Sequence, residues 1–246
     1  MDKFWLEYLI FFGLLVGISF FGTVFVTLIT FILSQFLQNK NTRIEKDSPS
    51  KKQSNFEFWQ QIKSVFLSIF VGYGAIFWLI WKNFSKIYYD FNFSILSIIW
   101  FLITLPLIIL IADLYIYSIH RTLHTRTFWK IHQIHHKSVR VNVFSSYSLD
   151  VLESVLYTLF LAIFIMIFPT HIINFLAFMT LTIIYNFYIH SGHEFLPPSF
   201  NFLNTSSLHQ VHHTKHNYNF AFYTNIWDRI FGTFQPFDNK KLKKYK

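Results

Sequence analysis

Residues 93–136 read FSILSIIWFLITLPLIILIADLYIYSIHRTLHTRTFWKIHQIHH. The run from about Phe93 to Tyr117, interrupted only by Pro106 and Asp113 among its helix-breaking and charged positions, is long enough to cross a bilayer at ~20 residues per span. It leads directly into a polar segment carrying His120, His124, His132, His135 and His136. Four similar apolar segments flank it: about Tyr8 to Gln35, Ser64 to Trp81, Val151 to Phe168 and Ile172 to Tyr188. Only Pro169, Thr170 and His171 separate the last two, which predicts a tight antiparallel hairpin. The expectation is an all-α integral membrane helical bundle of about four to five spans, with a histidine-rich helical cap.

Composition agrees. Of 246 residues, 53% are hydrophobic and 13% charged, against roughly 25% charged in a typical soluble protein. So few charges cannot cover a water-facing surface, so lipid must be the solvent for much of the chain. The first apolar run, reaching about Leu37, is too long for a signal peptide and lacks a small-residue cleavage site. It is read as a retained helix. There is no cysteine, which excludes disulfides and thiolate chemistry and leaves His, Asp and Glu as the strong metal ligands.

The net charge of +9 lies in loops beside apolar runs, the pattern of membrane topology rather than of a nucleic-acid surface. Gln38–Lys63 carries Lys40, Arg43, Lys46, Lys51, Lys52 and Lys63 and is expected to be a flexible loop; Lys240–Lys246 holds five lysines. Placing basic loops inside puts His120–Asp150, Ser191–Asn225 and the tail on the cytosolic side. Lys82 and Lys86 run against this assignment. Residues 1–63 form the expected N-terminal helix and loop, and 64–246 the histidine-bearing domain. The Phe, Ile, Asn and Lys enrichment favours a bacterial inner membrane over endoplasmic reticulum.

Eleven of the 12 histidines fall between His120 and His216. They read H-R-T-L-H (His120, His124), H-Q-I-H-H (His132, His135, His136), H-S-G-H (His190, His193) and H-Q-V-H-H (His209, His212, His213), with His216 following. Residues three and four apart share a helix face, so each element offers two or three imidazoles on one side. A lone H-x-x-x-H is weak evidence, and such a pair holds zinc, copper, iron or nickel equally well. Ten imidazoles on one membrane face are another matter: packing them without using their lone pairs is costly. They also exceed the roughly four ligands of one zinc ion, so the count fits two ions. Iron with O2 suits unactivated lipid C–H bonds. A membrane zinc enzyme, using zinc-bound water hydrolytically, is the alternative. A metal carrier would place its ligands near mid-span, whereas these sit at span ends.

The order H-x-x-x-H, H-x-x-H-H, H-x-x-H, H-x-x-H-H resembles the sterol desaturase / fatty acid hydroxylase superfamily over about Asp113 to Pro236. The stretch His212-His213-Thr-Lys-His-Asn-Tyr-Asn-Phe and the later Trp227-Asp228-Arg229-Ile-Phe-Gly232-Thr-Phe are similar to segments of sterol C5-desaturases and of alkylglycerol monooxygenase-like members. The resemblance implies a non-haem diiron centre, O2 as oxidant and electrons from a separate reductase. It also implies a lipid substrate (sterol, fatty acyl or ether lipid) that is hydroxylated or desaturated. Carried over by position, the ligands are His120, His124, His132, His135, His136, His190, His193, His209, His212 and His213. Asp113, Asn142, Glu194, His216 and Asn219 are expected to support them, since a ligating imidazole usually donates its other N–H to a neighbour. Asp150 and Glu153 are read as favouring a helix N-terminus, and Asp228 with Arg229 as a structural ion pair. Where the family often has N-Y-G, this chain has Asn219-Phe220-Ala221. No room is left for a fused cytochrome domain, so the electron donor is expected in trans.

Overall fold

A computed structural model describes residues 3–37, 42–44, 49–90, 94–196 and 201–237. Among these, nine α-helices run in the order α1 (Lys3–Leu37), α2 (Lys51–Ser68), α3 (Gly74–Trp81), α4 (Ile95–Leu123), α5 (Trp129–His136), α6 (Val151–Ile167), α7 (Ile172–Ile189), α8 (Ser206–Lys215) and α9 (Ile226–Ile230). A π turn, Ile69–Tyr73, joins α2 to α3 without a break, and a 3-10 turn, Val143–Tyr147, precedes α6. Among the described residues, four helices are long and apolar enough to cross a membrane: Leu6–Leu37, Lys51–Trp81, Ile95–Leu123 and Ile172–Ile189. The apolar α6 is shorter. The chain is an all-α membrane bundle.

Helices α2, α4, α6 and α7 each start where a polar side chain takes an orphan N–H. Ser50 accepts from Gln53 N, Ser94 from Ser97 N, Asp150 from Leu152 N, and His171 from Ile173 N. In α4, Pro106 denies a helical donor to the Leu102 carbonyl. One residue earlier, Phe101 O accepts Asn174 Nδ2 at 2.9 Å, tying α4 to α7. The core lies between α3, α4, α6 and α7, around Ile76, Ile108, Ala112, Phe160, Phe164, Ile165, Phe175 and Phe178. Outward, Phe21 and Phe25 of α1 and Leu96 of α4 are exposed, as a lipid-facing surface requires.

Residues 51–63 correct the flexible-loop expectation, for they are helical and continuous with the second span. Lys51, Lys52, Asn55 and Lys63 are exposed, while the glutamines and Glu57 face protein. Gln61 Nε2 donates to Thr30 Oγ1 at 3.0 Å, Gln60 Nε2 to Leu149 O at 2.9 Å, and Glu57 is fully buried. The basic residues 40, 46 and 240–246 lie outside the described residues.

The bundle has two distinct ends. At one, β1 (Ile87–Tyr88) pairs in parallel with β2 (Thr170–His171), Ile87 opposite Thr170 and Tyr88 opposite His171. Lys86 Nζ donates to Ile167 O at 2.9 Å there, and Lys82 Nζ sits over the Trp81 ring at 4.1 Å. At the other end, α5, α8, α9 and the 3-10 turn close over the ends of α4 and α7 and the start of α6. The α8 helix, though polar, is buried from Ser206 to His213. Its burial is explained by what its histidines face.

Candidate metal centre

The last turn of α4 carries His120, with His124 as its cap, and His190 caps α7. The other histidines come from α5 and α8. In each H-x-x-H-H, i+4 lies about 40° to one side of i around the helix and i+3 about 60° to the other, so i+3 and i+4 diverge by about 100°. The structure uses this offset. His132 and His136 of α5 join His120, His124 and His212; His135 joins His190, His209 and His213. From α8, His209 and His213 enter the second group while His212 enters the first. Each motif therefore spans two groups, of five and four imidazoles, instead of presenting a single stripe.

Within each group the Nε2 atoms converge. In the first, His120–His132 and His132–His136 are 3.0 Å apart, and His124–His136 and His136–His212 are 3.1 Å apart. In the second, His190–His209 is 2.9 Å, His209–His213 and His135–His213 are 3.1 Å, and His135–His190 is 3.4 Å. Backbone carbonyls settle several tautomers. His120 Nδ1 donates to Phe220 O at 2.7 Å, His190 Nδ1 to Asn186 O at 2.9 Å and His212 Nδ1 to Tyr218 O at 2.7 Å. His132 Nδ1 donates to Glu153 Oε1 at 2.7 Å. A carbonyl only accepts, so in neutral imidazoles these Nε2 atoms carry bare lone pairs. His120 and His212, both in the first group, thus turn bare lone pairs toward the same space and cannot bond to one another. A cation between them resolves the conflict. Nitrogens about 2.1 Å from a shared ion lie about 2.9 to 3.4 Å apart, so the donor set fits metal ions.

Burial reinforces the neutral state. Desolvation, followed by repulsion from neighbouring imidazoles, holds His132, His135, His136, His209, His212 and His213 well below the ordinary histidine pKa. His124 is lowered to about 2 and His190 to about 4, desolvation being the main cause in both. Neutral imidazoles are the form that binds metal.

Beneath the histidines lies a cavity of about 190 Å3. His120, His132, His135, His190 and His209 form its top, and Ala112, Phe160, Leu161, Phe178 and Met179 its lower walls. Phe178, Thr182, Asn186 and His190 line it along one face of α7, a run of about 18 Å.

The family model for fatty acid hydroxylases matches residues 105–233, half of the chain. The chain belongs to the fatty acid hydroxylase family. Among curated proteins, it is 33% identical over 133 residues to the Delta(7)-sterol 5(6)-desaturase of Eremothecium gossypii, covering 54% of this chain and 37% of the relative. It is 31% identical over 163 residues to the lathosterol oxidases of Rattus norvegicus and Homo sapiens, covering 65% of this chain and 54% of each relative. The chain thus spans about half or less of the length of these relatives. No solved structure matches it.

Within this member of the family, nine of the ten expected ligand positions meet in the two groups, and His193 does not. Gly192, at φ +72, turns the chain after His190 against Val141 O, where a Cβ would stand at 2.6 Å. The turn carries His193 away, to bond Thr42 Oγ1 through Nδ1 at 3.2 Å and to stack on Phe195. Desolvation, then the Arg43 charge, lowers its pKa to about 4. The expected supporting residues hold backbone or other side chains. Asp113 accepts from the N–H groups of Phe222, Tyr223 and Thr224 at 2.8–3.0 Å. Asn142 caps the 3-10 turn and donates to Glu57 at 2.7 Å. Glu194 accepts from Tyr188 Oη and from Ser207 N at the start of α8. Asn219, at φ +58, bridges Leu208 O and Gln235. His216 meets His136 edge to face with ring centroids 4.5 Å apart and bonds His213 O.

Two readings need correction. Asp228 and Arg229 do not pair. Asp228 accepts from Phe220 N, Ala221 N and Thr233 Oγ1, while Arg229 donates to Asn225 and Asn201. Glu153 is more than a helix-start acid, since it is fully buried and bonded to His132. Its place three residues after the cap Asp150 made the helix-start reading the simpler one. The only sequence signal against it was a carboxylate opening an apolar helix.

Proposed function

We propose that this chain is a membrane-bound non-haem diiron oxygenase that hydroxylates or desaturates an aliphatic position of a lipid. The observation that carries this reading is the convergence of nine Nε2 atoms, in groups of five and four, at the closed end of an apolar cavity. The names of the relatives, sterol desaturases and lathosterol oxidases, supply the lipid class. His120, His124, His132, His136 and His212 would hold one iron, and His135, His190, His209 and His213 the other. Iron bound there supplies the reduction of O2 and the oxidising power to remove hydrogen from an unactivated carbon.

The chain's own residues do the rest. The apolar walls hold an aliphatic segment against the histidines and keep bulk water out, which strengthens every electrostatic interaction inside. The carbonyls of Phe220, Asn186 and Tyr218 fix the Nδ1–H tautomers, and Glu153 increases the basicity of His132. Electrons come from a separate donor protein. Arg43, Lys51, Lys52, Arg121, Arg126, Lys130, Lys137, Arg140 and Lys215 lie at or beyond the histidine-bearing end, whereas Lys82 and Lys86 stand at the other. Basic residues favour the cytosolic side, so we place the centre there.

Metal analysis of protein purified anaerobically from iron-replete cells tests the reading. About two irons per chain are expected. His135→Ala should cost mainly the iron of the four-histidine group, and His136→Ala mainly that of the five-histidine group. Zinc at both groups, with no O2-dependent lipid product after iron reconstitution and added reductant, would sink it.

A further inference from the structure

Four tyrosines line the cavity: Tyr73, Tyr147, Tyr157 and Tyr223. Three have polar groups beside their hydroxyls: the Asn186 side chain neighbours Tyr147, Glu153 neighbours Tyr157, and Tyr223 meets Thr182 Oγ1 at 2.6 Å. Among the described residues nothing hydrogen-bonds the Tyr73 hydroxyl. Tyr73 packs against the core, keeps some accessible surface and lines the cavity. Buried tyrosine hydroxyls usually have a partner, and leaving one without a hydrogen bond is costly.

The backbone here is built for this placement. Tyr73 ends the π turn Ile69–Tyr73, and π turns re-aim the side chains around them and are frequent at functional sites. The turn packs on α6 so closely that a Cβ on Gly72 would lie 2.2 Å from Thr158 Oγ1. Thr158 is five residues beyond Glu153, so Tyr73 sits about 7 Å deeper in the bundle than the carboxylate that holds His132. Among the described residues no Lys or Arg lines the cavity, and its one carboxylate, Glu153, is bonded to His132 through Oε1. A phosphate or carboxylate headgroup inside would be an uncompensated buried charge.

We propose that the Tyr73 hydroxyl is the cavity's polar subsite, hydrogen-bonding the single neutral hydroxyl or carbonyl of a lipid whose aliphatic part reaches the histidines. This rests on the reading of the cavity as a lipid site. The π turn then fixes which carbon meets the metal centre, by setting the distance between the polar anchor and the imidazoles.

Competition binding on the purified full chain in detergent tests this without requiring turnover. The probes are cholesterol and hexadecan-1-ol, each set against the matched hydrocarbon, cholestane or hexadecane, with hexadecanoate as the charged control. The wild type should bind at least one alcohol about tenfold more tightly than its hydrocarbon, and hexadecanoate no better than hexadecane. Tyr73→Phe should abolish the alcohol's advantage while leaving hydrocarbon binding and iron content unchanged. Thr158→Val, which removes a hydroxyl already bonded to its own helix, should preserve the advantage. Equal binding of alcohol and hydrocarbon by the wild type, an advantage that survives in Tyr73→Phe, or a preference for hexadecanoate overturns the proposal. If the alcohol advantage depends on Tyr73 but no O2-dependent product forms, the subsite stands and the oxygenase reading falls.

Discussion

At the scale of single residues, the histidine positions were legible because their spacing repeats. Their partners were not, because a carbonyl acceptor leaves no trace in side-chain identity. Phe220, Asn186 and Tyr218 act through backbone oxygens, and no reading of residue types finds them. His193 stands apart from both groups although its H-x-x-H spacing matches the other pairs, because the left-handed Gly192 turns the chain between His190 and His193. Glu153 is the residue whose role changes most. Its carboxylate, 2.7 Å from His132 Nδ1, should matter to one group and not the other. Glu153→Gln keeps an acceptor but removes the charge. We expect about a 10- to 100-fold loss of metal affinity at the five-histidine group and little change at the four-histidine group. Titration against a competing chelator, resolving the two sites, measures this. Equal losses at both sites would show that Glu153 acts by holding the fold rather than through His132.

At the scale of elements, five apolar helices followed directly from hydropathy, because lipid imposes length and composition together. Residues 51–63 were harder. Polarity normally signals water, and here it signals Glu57, Gln60 and Gln61 turned onto neighbouring segments. The division of each H-x-x-H-H between two groups was in principle written in the 100° step of the helix. It became readable only once a second helix faced the first. The segment 220–224 shows how a non-helical element is held. Asp113 in α4 accepts three of its backbone N–H groups, and Asp228 two more. Asp113→Ala would leave three donors unmet, at about 1–3 kcal/mol each. We expect a loss of at least about 3 kcal/mol and weaker metal retention, since Phe220 O orients His120. Thermal unfolding in detergent, followed alongside iron release, reads both. An unchanged melting temperature would mean that the loop finds other acceptors and that Asp113 is dispensable to it.

At the scale of the whole molecule, the chain inverts the usual arrangement, with apolar side chains outside and a dense polar cluster buried at one end. Composition announced the first half of that inversion. The second half depends on long-range contacts between α5, α7 and α8, which no local pattern encodes. The inversion has a consequence for pH. The clustered imidazoles outside the spans are neutral when folded, their pKa values pushed below the ordinary value by burial first and by one another second. In the unfolded chain they titrate near 6.5. Between that value and the folded one, the unfolded state binds more protons, so acid favours unfolding. The stability they contribute is fully present above about pH 6.5 and is lost progressively as pH falls. For His190, whose folded pKa is about 4, the loss across that window is on the order of 3 kcal/mol. Metal binding adds to the effect, because protons and ions compete for the same Nε2 lone pairs. Metal-free protein in detergent should therefore melt at steadily lower temperature from pH 7 to pH 5, and loaded protein should release its ions over the same range. Flat melting temperatures for the metal-free form would mean that the imidazoles are already hydrated, and that the packed cluster forms only around its ions.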